Sequence, residues 1–272
     1  MGAWTLDDIP WDSFDPSKVD GDTLRIVKAA SLVEQNGGDY AQYLCGVFKD
    51  DPEFKAVAAR WGAEEIQHGQ ALGRWASLAD PDFDHRAAAA RFTAGFRVDV
   101  NAAASVRGSR AGELVARCIV ETGTSSYYSA LADSTEEPVL KAICKRIAAD
   151  ELRHYKLFYT HLKRYLDIDG IGFWGRLRVA AGRLVETEED DELAYAYYAA
   201  NENDAPYDRH RHGNAYVRRV YPLYRWHHIE RGIAMIFKAV GMKPHGRLNL
   251  LAARIAWWGV QYRAERLVRK AA

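Results

Sequence analysis

The sequence is poor in cysteine and balanced in charge. It has only Cys45, Cys118 and Cys144, an odd number without a Cys-x-x-Cys pair. This scarcity argues against a disulfide framework, a thiolate zinc or iron–sulfur site and a built-in rubredoxin-type electron carrier, and it favours a reducing compartment such as the cytoplasm. Lys and Arg together number 37, as do Asp and Glu, so no bulk field favours nucleic acid or acidic partners.

Long apolar runs are also missing. The best candidate, residues 248–262, contains Asn249 and Arg254, so we expect no membrane span. The first residues hold neither a basic region nor an apolar run, so we expect no secretory signal. Residues 1–21 show little periodicity and are typical of an irregular lead-in.

Helical periodicity is present from Asp22 onward. It predicts four long helices, over residues 22–48, 52–78, 111–133 and 138–166. A helical run near 87–90 lies in the central connection. Beyond Gly170 we predict helices over 171–185, 195–201, 216–240 and 246–270, with an acidic stretch at 186–192. No low-complexity linker divides the chain. We therefore predict one all-α domain over residues 1–272, with a four-helix bundle in 22–166 and a helical C-terminal extension in 170–272.

Two short motifs repeat within this helical frame. Glu65 and His68 are three residues apart, and so are Glu151 and His154. Residues i and i+3 lie on one face of an α-helix, so each pair can bind one metal ion from one side. A single pair is weak evidence in a helical protein, but two copies are stronger evidence.

A lone glutamate precedes the glutamate of each pair, Glu34 by 31 residues and Glu121 by 30. In an antiparallel helical hairpin, the two carboxylates share a height only when the turn lies midway between them. Turn signals occur at both midpoints, in residues 49–52 and 133–138, and each ends in a proline suited to the first helical position. The four carboxylates are therefore expected to meet in one interior.

Together these residues match the ligand set of ferritin-like di-iron and di-manganese bundles. The candidate metal ligands are Glu34, Glu65, His68, Glu121, Glu151 and His154. Four buried carboxylates repel one another and lose hydration, and two divalent ions remove that conflict. Carboxylate and imidazole ligands without thiolates favour iron or manganese over structural zinc. We therefore predict a ferritin-like four-helix bundle with two iron ions, or with one manganese and one iron.

Other polar residues flank this set. Asp150 and Glu64 each precede a ligand glutamate and could accept a hydrogen bond from a histidine of the opposite pair, which would fix its tautomer. Glu64 is equally well explained as a solvated side chain. Thr124 lies on the predicted inner face and could hold or relay a proton, or simply bond to its own helix. Tyr128 and Tyr155 could line the site or belong to the core.

Two further features have alternative interpretations. Gly37 and Gly38 in a helix interior cost about 1 kcal/mol each relative to Ala. They could provide space beside the metals, re-aim Glu34 through a bulge, allow close helix packing or mark a helix break. The remaining histidines are expected to lie outside the site, on a distant turn, a surface loop or a solvated helix face: His161, His210, His212, His227 and His228.

Three segments carry a family resemblance. Residues 60–69 (RWGAEEIQHG) and 147–154 (IAADELRH) resemble the two metal motifs of soluble acyl-carrier-protein desaturases, and residues 121–124 (ETGT) are similar to their Glu-x-x-Thr. The resemblance covers about residues 25–165, and Gly62 departs from it because the family usually has Thr there. It implies a di-iron site with the six ligands named above and Thr124 in the oxygen pocket.

The resemblance also implies an activity and partners. It implies an O2-dependent di-iron oxidoreductase that takes two electrons from an external ferredoxin-type donor. Its substrate would be an acyl chain, which could be bound to acyl carrier protein, and the chain would form a homodimer. The alternatives are another ferritin-like oxygenase acting on a lipid, aldehyde or amine, an iron-storage or peroxide-scavenging protein, and a helical interaction protein with a vestigial site.

Overall fold

The computed structural model describes residues 4–188, 191–201 and 206–271. Those residues form eleven α-helices and four short 3-10 helices, and none of them lies in a β-strand. The all-α fold predicted from the periodicity is therefore confirmed. Within the same ranges, no helix is long and apolar enough to cross a membrane.

A bundle with four legs forms the centre of the molecule. The first leg consists of two helices, and each of the others is a single helix: α1 (Gly21–Gln35) with α2 (Gly37–Val47), then α3 (Pro52–Ala79), α5 (Arg110–Ser134) and α6 (Pro138–Asp169). The short helix α4 (His85–Gly95) lies in the connection between the second and third legs. Helix α3 packs along α1 and α2, α5 packs along α6, and α3 also contacts α6.

Both turns between paired legs fall where the sequence predicts them. Helix α3 begins at Pro52, and the carboxylate of Asp51 accepts a hydrogen bond from the Phe54 N–H at 3.0 Å. Helix α6 begins at Pro138, and the carboxylate of Glu137 accepts hydrogen bonds from the N–H groups of Val139 and Leu140. A capping carboxylate satisfies the free N–H groups of the first turn, and a proline there has no N–H to lose.

The prediction of one continuous helix over residues 22–48 is wrong. Helix α1 ends at Gln35, and α2 restarts at Gly37 after Asn36. The Asn36 N–H bonds to the carbonyl of Val33, three residues back, as in the tight last turn of a helix. The Gly37-Gly38 pair therefore marks a helix break, which is one of the interpretations that the sequence left open.

Three glycines bring the first two legs into backbone contact. A Cβ atom on Gly37 would lie 2.2 Å from the Cβ of Glu65, and one on Gly62 or Gly69 would lie within 2.5 or 2.6 Å of atoms of the first leg. No side chain larger than hydrogen fits at these positions without movement of the helices. We call Gly37, Gly62 and Gly69 the glycine seam. The seam gives a packing reason for Gly62, where the desaturases usually have Thr.

The C-terminal extension contains five helices. They are α7 (Phe173–Glu188), α8 (Asp191–Asn201), α9 (Arg209–Val220), α10 (Trp226–Val240) and α11 (Arg247–Ala271). The prediction of one helix over residues 216–240 is wrong, because Pro222 lies in a short 3-10 helix that separates α9 from α10. The predicted acidic stretch at 186–192 falls partly on residues 189–190, outside the described residues.

The extension packs onto the bundle. Helix α8 lies against α1, α10 lies against α5, and α9 contacts both α8 and α1. Helix α11 contacts α10 and α9. Buried side chains of α8 and α9, such as Tyr197 and Tyr216, join the hydrophobic core around α1 and α3. This packing adds a wall beside the bundle, on the side of Glu34.

Candidate metal centre

The structure brings the six predicted ligands together in the bundle interior. Helix α1 carries Glu34, α3 carries Glu65 and His68, α5 carries Glu121, and α6 carries Glu151 and His154. All six are buried, with Glu65 the most exposed at 7%. Their Nδ1 and carboxylate oxygen atoms fall into two groups of four residues, and the atoms of each group lie within 4.8 Å of one another.

The first group surrounds the ring of His68. Its Nδ1 lies 3.3 Å from the Glu151 carboxylate and 3.6 Å from the carboxylates of both Glu34 and Glu65. One imidazole nitrogen therefore faces three carboxylates from three different helices. We call this set the His68 half.

The second group surrounds the ring of His154. Its Nδ1 lies 3.0 Å from the Glu65 carboxylate, 3.5 Å from that of Glu121 and 3.9 Å from that of Glu151. We call this set the His154 half. Glu65 and Glu151 belong to both halves, so the two halves share these carboxylates.

Several inward-facing atoms of this cluster make no hydrogen bond to the described residues. Five of them are buried without a hydrogen bond within the described residues: Glu65 Oε1, His68 Nδ1, Glu121 Oε2, Glu151 Oε1 and His154 Nδ1. Buried polar groups are otherwise nearly always satisfied, and an unsatisfied group costs about 1–3 kcal/mol. Carboxylates and imidazole nitrogens turned toward a common point form a donor set that fits divalent cations. The structure thus supports the fit, and the metal itself stays a prediction.

Outer hydrogen bonds hold both imidazole rings. The His68 Nε2 lies 3.1 Å from the Asp150 carboxylate, and the His154 Nε2 lies 2.7 Å from the Glu64 carboxylate. In the neutral imidazole, a carboxylate partner places the ring proton on Nε2, which leaves the Nδ1 lone pair free to face the cluster. Arg153 lies 2.6 Å from Asp150 and 3.2 Å from Glu64 and so links the two partners.

Trp4 also contacts this outer layer, a role that sequence reasoning missed. Its indole N–H donates to Asp150 at 2.7 Å, and its ring stacks on that of His68 with centroids 6.0 Å apart. Trp4 therefore covers the outer side of His68 and Asp150. A single Trp in an irregular segment has no periodicity that would mark it, so only the folded chain shows this contact.

The pKa values of the cluster side chains are shifted because several carboxylates are buried close together. Burial, together with the neighbouring Glu65, raises the pKa of Glu34 to about 8. Burial and Glu151 raise the pKa of Glu121 well above its usual value. Burial alone would lower the pKa of His68, but its carboxylate partners outweigh that effect and raise it. Bound protons and bound cations both offset such closely spaced negative charge.

Asp150 stays ionised in this arrangement. Burial alone would raise its pKa, but the hydrogen bonds from His68 and Arg153 outweigh that effect and lower the pKa to about 2. A permanently charged acceptor behind His68 makes its Nδ1 a better electron-pair donor.

Thr124 and Tyr128 both donate hydrogen bonds to cluster carboxylates. The Thr124 hydroxyl lies 2.6 Å from the Glu151 carboxylate and also 3.3 Å from two carbonyls of its own helix. It therefore contacts both the cluster and its own helix, the two alternatives left open by the sequence. The Tyr128 hydroxyl donates to Glu34 at 2.5 Å. Tyr155 instead donates to the carbonyl of Met235 and packs in the core away from the cluster.

Of the other histidines, only His227 and His228 form a further group that could hold a metal ion within the described residues, together with Asp133. The Arg225 N–H donates to His228 Nδ1, so the ring proton lies on Nε2 and donates to Asp133 at 3.1 Å. That nitrogen has no free lone pair for a metal. His161 pairs with Arg164 instead.

A cavity of about 500 Å³ adjoins the cluster. It lies between the bundle and the C-terminal extension, and its lining includes Glu34 and Thr124. On α9 the lining residues run from Arg209 to Val220, which corresponds to about 16 Å at 1.5 Å per residue. A smaller cavity of about 70 Å³ shares Glu34 and Thr124 and is lined by three further carboxylates of the cluster. The lining residues thus connect the larger cavity with the cluster.

Comparison with known proteins supports this picture. Residues 47–174, just under half of the chain, match the family model described as fatty acid desaturase. The matched segment contains all the candidate ligands except Glu34. No curated protein matches the chain. The family match indicates an oxidoreductase that uses a metal cofactor, and it confirms the resemblance of this chain to the ferritin-like, desaturase-type superfamily.

Proposed function

We propose that this protein is an O2-dependent di-iron oxidoreductase that acts on an acyl chain in the manner of a desaturase. The observation that carries the proposal is the pair of buried half-sites that share Glu65 and Glu151, directly beside a cavity of about 500 Å³. The match to the fatty acid desaturase family supports it.

The six ligands would hold two iron ions. Two iron ions with open coordination positions would activate O2 and supply an oxidant for an unactivated C–H bond, a chemistry that acid–base side chains do not provide. The sequence has no Cys-x-x-Cys pair for a built-in rubredoxin-type carrier, and the resemblance to the acyl-carrier-protein desaturases implies an external electron donor of the ferredoxin type.

The chain's own residues position these ligands. Asp150 and Glu64 orient the two imidazoles through the outer ring nitrogens. Tyr128 holds Glu34. Thr124 donates to Glu151 and lines the larger cavity, so its hydroxyl can hold or pass a proton between the cluster and a bound substrate.

The cavity supports an elongated substrate. Its volume lies within the roughly 300–1,000 Å³ typical of ligand pockets. Aliphatic and tyrosine side chains make up much of the wall, including Val33, Ile119, Tyr127 and Val217. Arg183, Arg209, Arg263 and Glu192 also line it, so the wall offers polar groups to a polar end of a substrate. The assay should therefore include both a free fatty acid and an acyl chain bound to a carrier protein.

The test combines metal analysis with product analysis. Protein loaded with ferrous iron should hold two iron ions per chain and, with O2 and a ferredoxin reducing system, convert a fatty acid or an acyl-carrier substrate. Glu65→Gln should lose both iron binding and conversion. Glu53→Gln on the same helix, with its side chain 73% exposed, should lose neither.

Other outcomes separate the alternatives. Iron that mineralises while every acyl substrate stays unchanged would contradict the proposal and indicate a storage protein. Conversion of an aldehyde or amine but no acyl chain would identify a different ferritin-like oxygenase. Less than one iron or manganese ion per chain would indicate a vestigial site.

A further inference from the structure

Helix α11 carries a stripe of large exposed apolar side chains. Their exposed fractions range from 52% to 67%: Leu248, Leu251, Ile255, Trp258 and Tyr262. They are spaced alternately three and four residues apart, which places them on one face of the helix. The stripe extends over about 21 Å. We call these five residues the apolar stripe.

The opposite face of α11 is packed against the protein. Asn249, Ala253 and Ala264 are buried, none more than 8% exposed, and α11 contacts α10 and α9. Arg263, which lies between the two faces, lines the large cavity. The stripe therefore points away from the body of the protein, and nothing within the described residues covers it.

The exposed positions around the stripe are strongly basic. Arg247, Arg254, Arg266 and Arg269 are all exposed. The single acidic residue of α11, Glu265, is already paired with Arg269 at 3.0 Å. The outer surface of this helix thus combines an apolar stripe with an excess of positive charge.

A second copy of the chain fits this surface poorly. A symmetric pairing of α11 with itself would bring the arginines of one copy against those of the other, and like charges in an interface are costly. An anionic lipid surface complements both features, since acyl chains accept the apolar side chains and headgroups attract the arginines. Trp and Tyr are also the residues enriched at membrane–water interfaces.

We propose that α11 docks the protein on the surface of a membrane that contains anionic phospholipid. The helix lies in the plane of the interface, with the apolar stripe inserted among the acyl chains and the flanking arginines at the phosphate level. The docking is independent of the metal chemistry and requires no spanning helix.

The test is co-sedimentation with vesicles of phosphatidylglycerol and phosphatidylcholine, with vesicles of phosphatidylcholine alone for comparison. The protein should bind the anionic vesicles, and Ile255→Glu and Trp258→Glu should each weaken that binding by about tenfold or more. Arg254→Glu should weaken it by roughly fivefold or more. Raised salt should weaken the binding of the unaltered protein, because it screens the arginines.

Val106→Glu is the matched control. Its side chain is 77% exposed on the loop before α5, so it introduces the same charge away from α11 and should leave binding unchanged. All the altered side chains are exposed, and the melting temperature of each variant should equal that of the parent within a few degrees.

Three results would overturn the proposal. One is an unaltered protein that stays in the supernatant with anionic vesicles. Another is a Val106→Glu variant that loses binding as much as Ile255→Glu. The third is a dimer in sedimentation velocity that Ile255→Glu abolishes while neither protein binds vesicles, which would assign the stripe to a second copy.

Discussion

The two halves of the cluster have matching inner faces and different outer surroundings. The carboxylate behind His68 belongs to Asp150, whose side chain is 8% exposed and which also accepts the Trp4 N–H. The carboxylate behind His154 belongs to Glu64, whose side chain is 31% exposed. One imidazole is thus held by a buried network and the other by a partner in contact with water. We expect the His68 half to bind its cation more tightly.

The largest effect is expected where the two halves meet. Glu151→Ala removes a carboxylate that both halves share, so the iron content should fall from two ions per chain to less than one, as measured by elemental analysis. Glu136→Ala, an exposed position in the turn before α6, should keep both ions. A Glu151→Ala protein with two ions would show that the halves are not coupled through this residue.

A direct test of the asymmetry compares the two outer carboxylates. Asp150→Asn should weaken binding in the His68 half by about 10- to 100-fold, the usual effect of losing such a partner. Glu64→Gln should weaken binding in the His154 half by less, since water can replace the lost contact. Anaerobic ferrous titration of each variant measures both steps. Equal losses in the two variants would contradict the asymmetry.

The contribution of the lead-in can be isolated with Trp4→Phe. The substitution keeps the stacked ring but removes the N–H that donates to Asp150 at 2.7 Å. The free energy of unfolding in urea should fall by about 1–2 kcal/mol. Trp174→Phe is the control, because Trp174 is 77% exposed and its substitution should change stability by less than about 0.5 kcal/mol. If the two variants lost the same free energy of unfolding, the hydrogen bond from Trp4 to Asp150 would not be stabilising.

The smallest effect is expected at Thr124, whose hydroxyl donates to the shared Glu151. Thr124→Val should lower the free energy of unfolding by about 1 kcal/mol and change both iron-binding steps alike, and Thr124→Ser should restore the parent values. A change confined to one binding step would show that Thr124 belongs functionally to a single half.

The bundle was predictable because its determinants are local. The Glu-x-x-His spacing reflects the helical repeat, and the turns at Pro52 and Pro138 carry their own caps. The helix boundary at Pro222 was equally local, and the prediction of a continuous helix there neglected it. Contacts between different helices, by contrast, are not marked by any periodic pattern of residues in the sequence.

Three features depend on such contacts. The sequence could not decide whether the helix breaks at Asn36, because Gly37 and Gly38 allow either a continuous or a broken helix. The contact of Trp4 with Asp150 joins residues 146 positions apart. The large cavity is lined by residues of α1, α5, α8 and α9, and it forms where α8 and α9 pack on α1. Long-range packing of this kind leaves no pattern in a single sequence.

Glycines have opposite roles on the two sides of Glu34. At Gly37, Gly62 and Gly69 the main chain of one leg lies directly against the other leg. The distance between these legs is therefore fixed, and no larger side chain fits there. Gly123 lines the large cavity, and a Cβ added there would meet no atom within 4 Å. Larger side chains at Gly123 would shorten or narrow the space for a substrate while the ligand geometry stays intact. A substitution at Gly123 is therefore expected to alter the cavity, whereas a substitution in the seam is expected to disrupt helix packing.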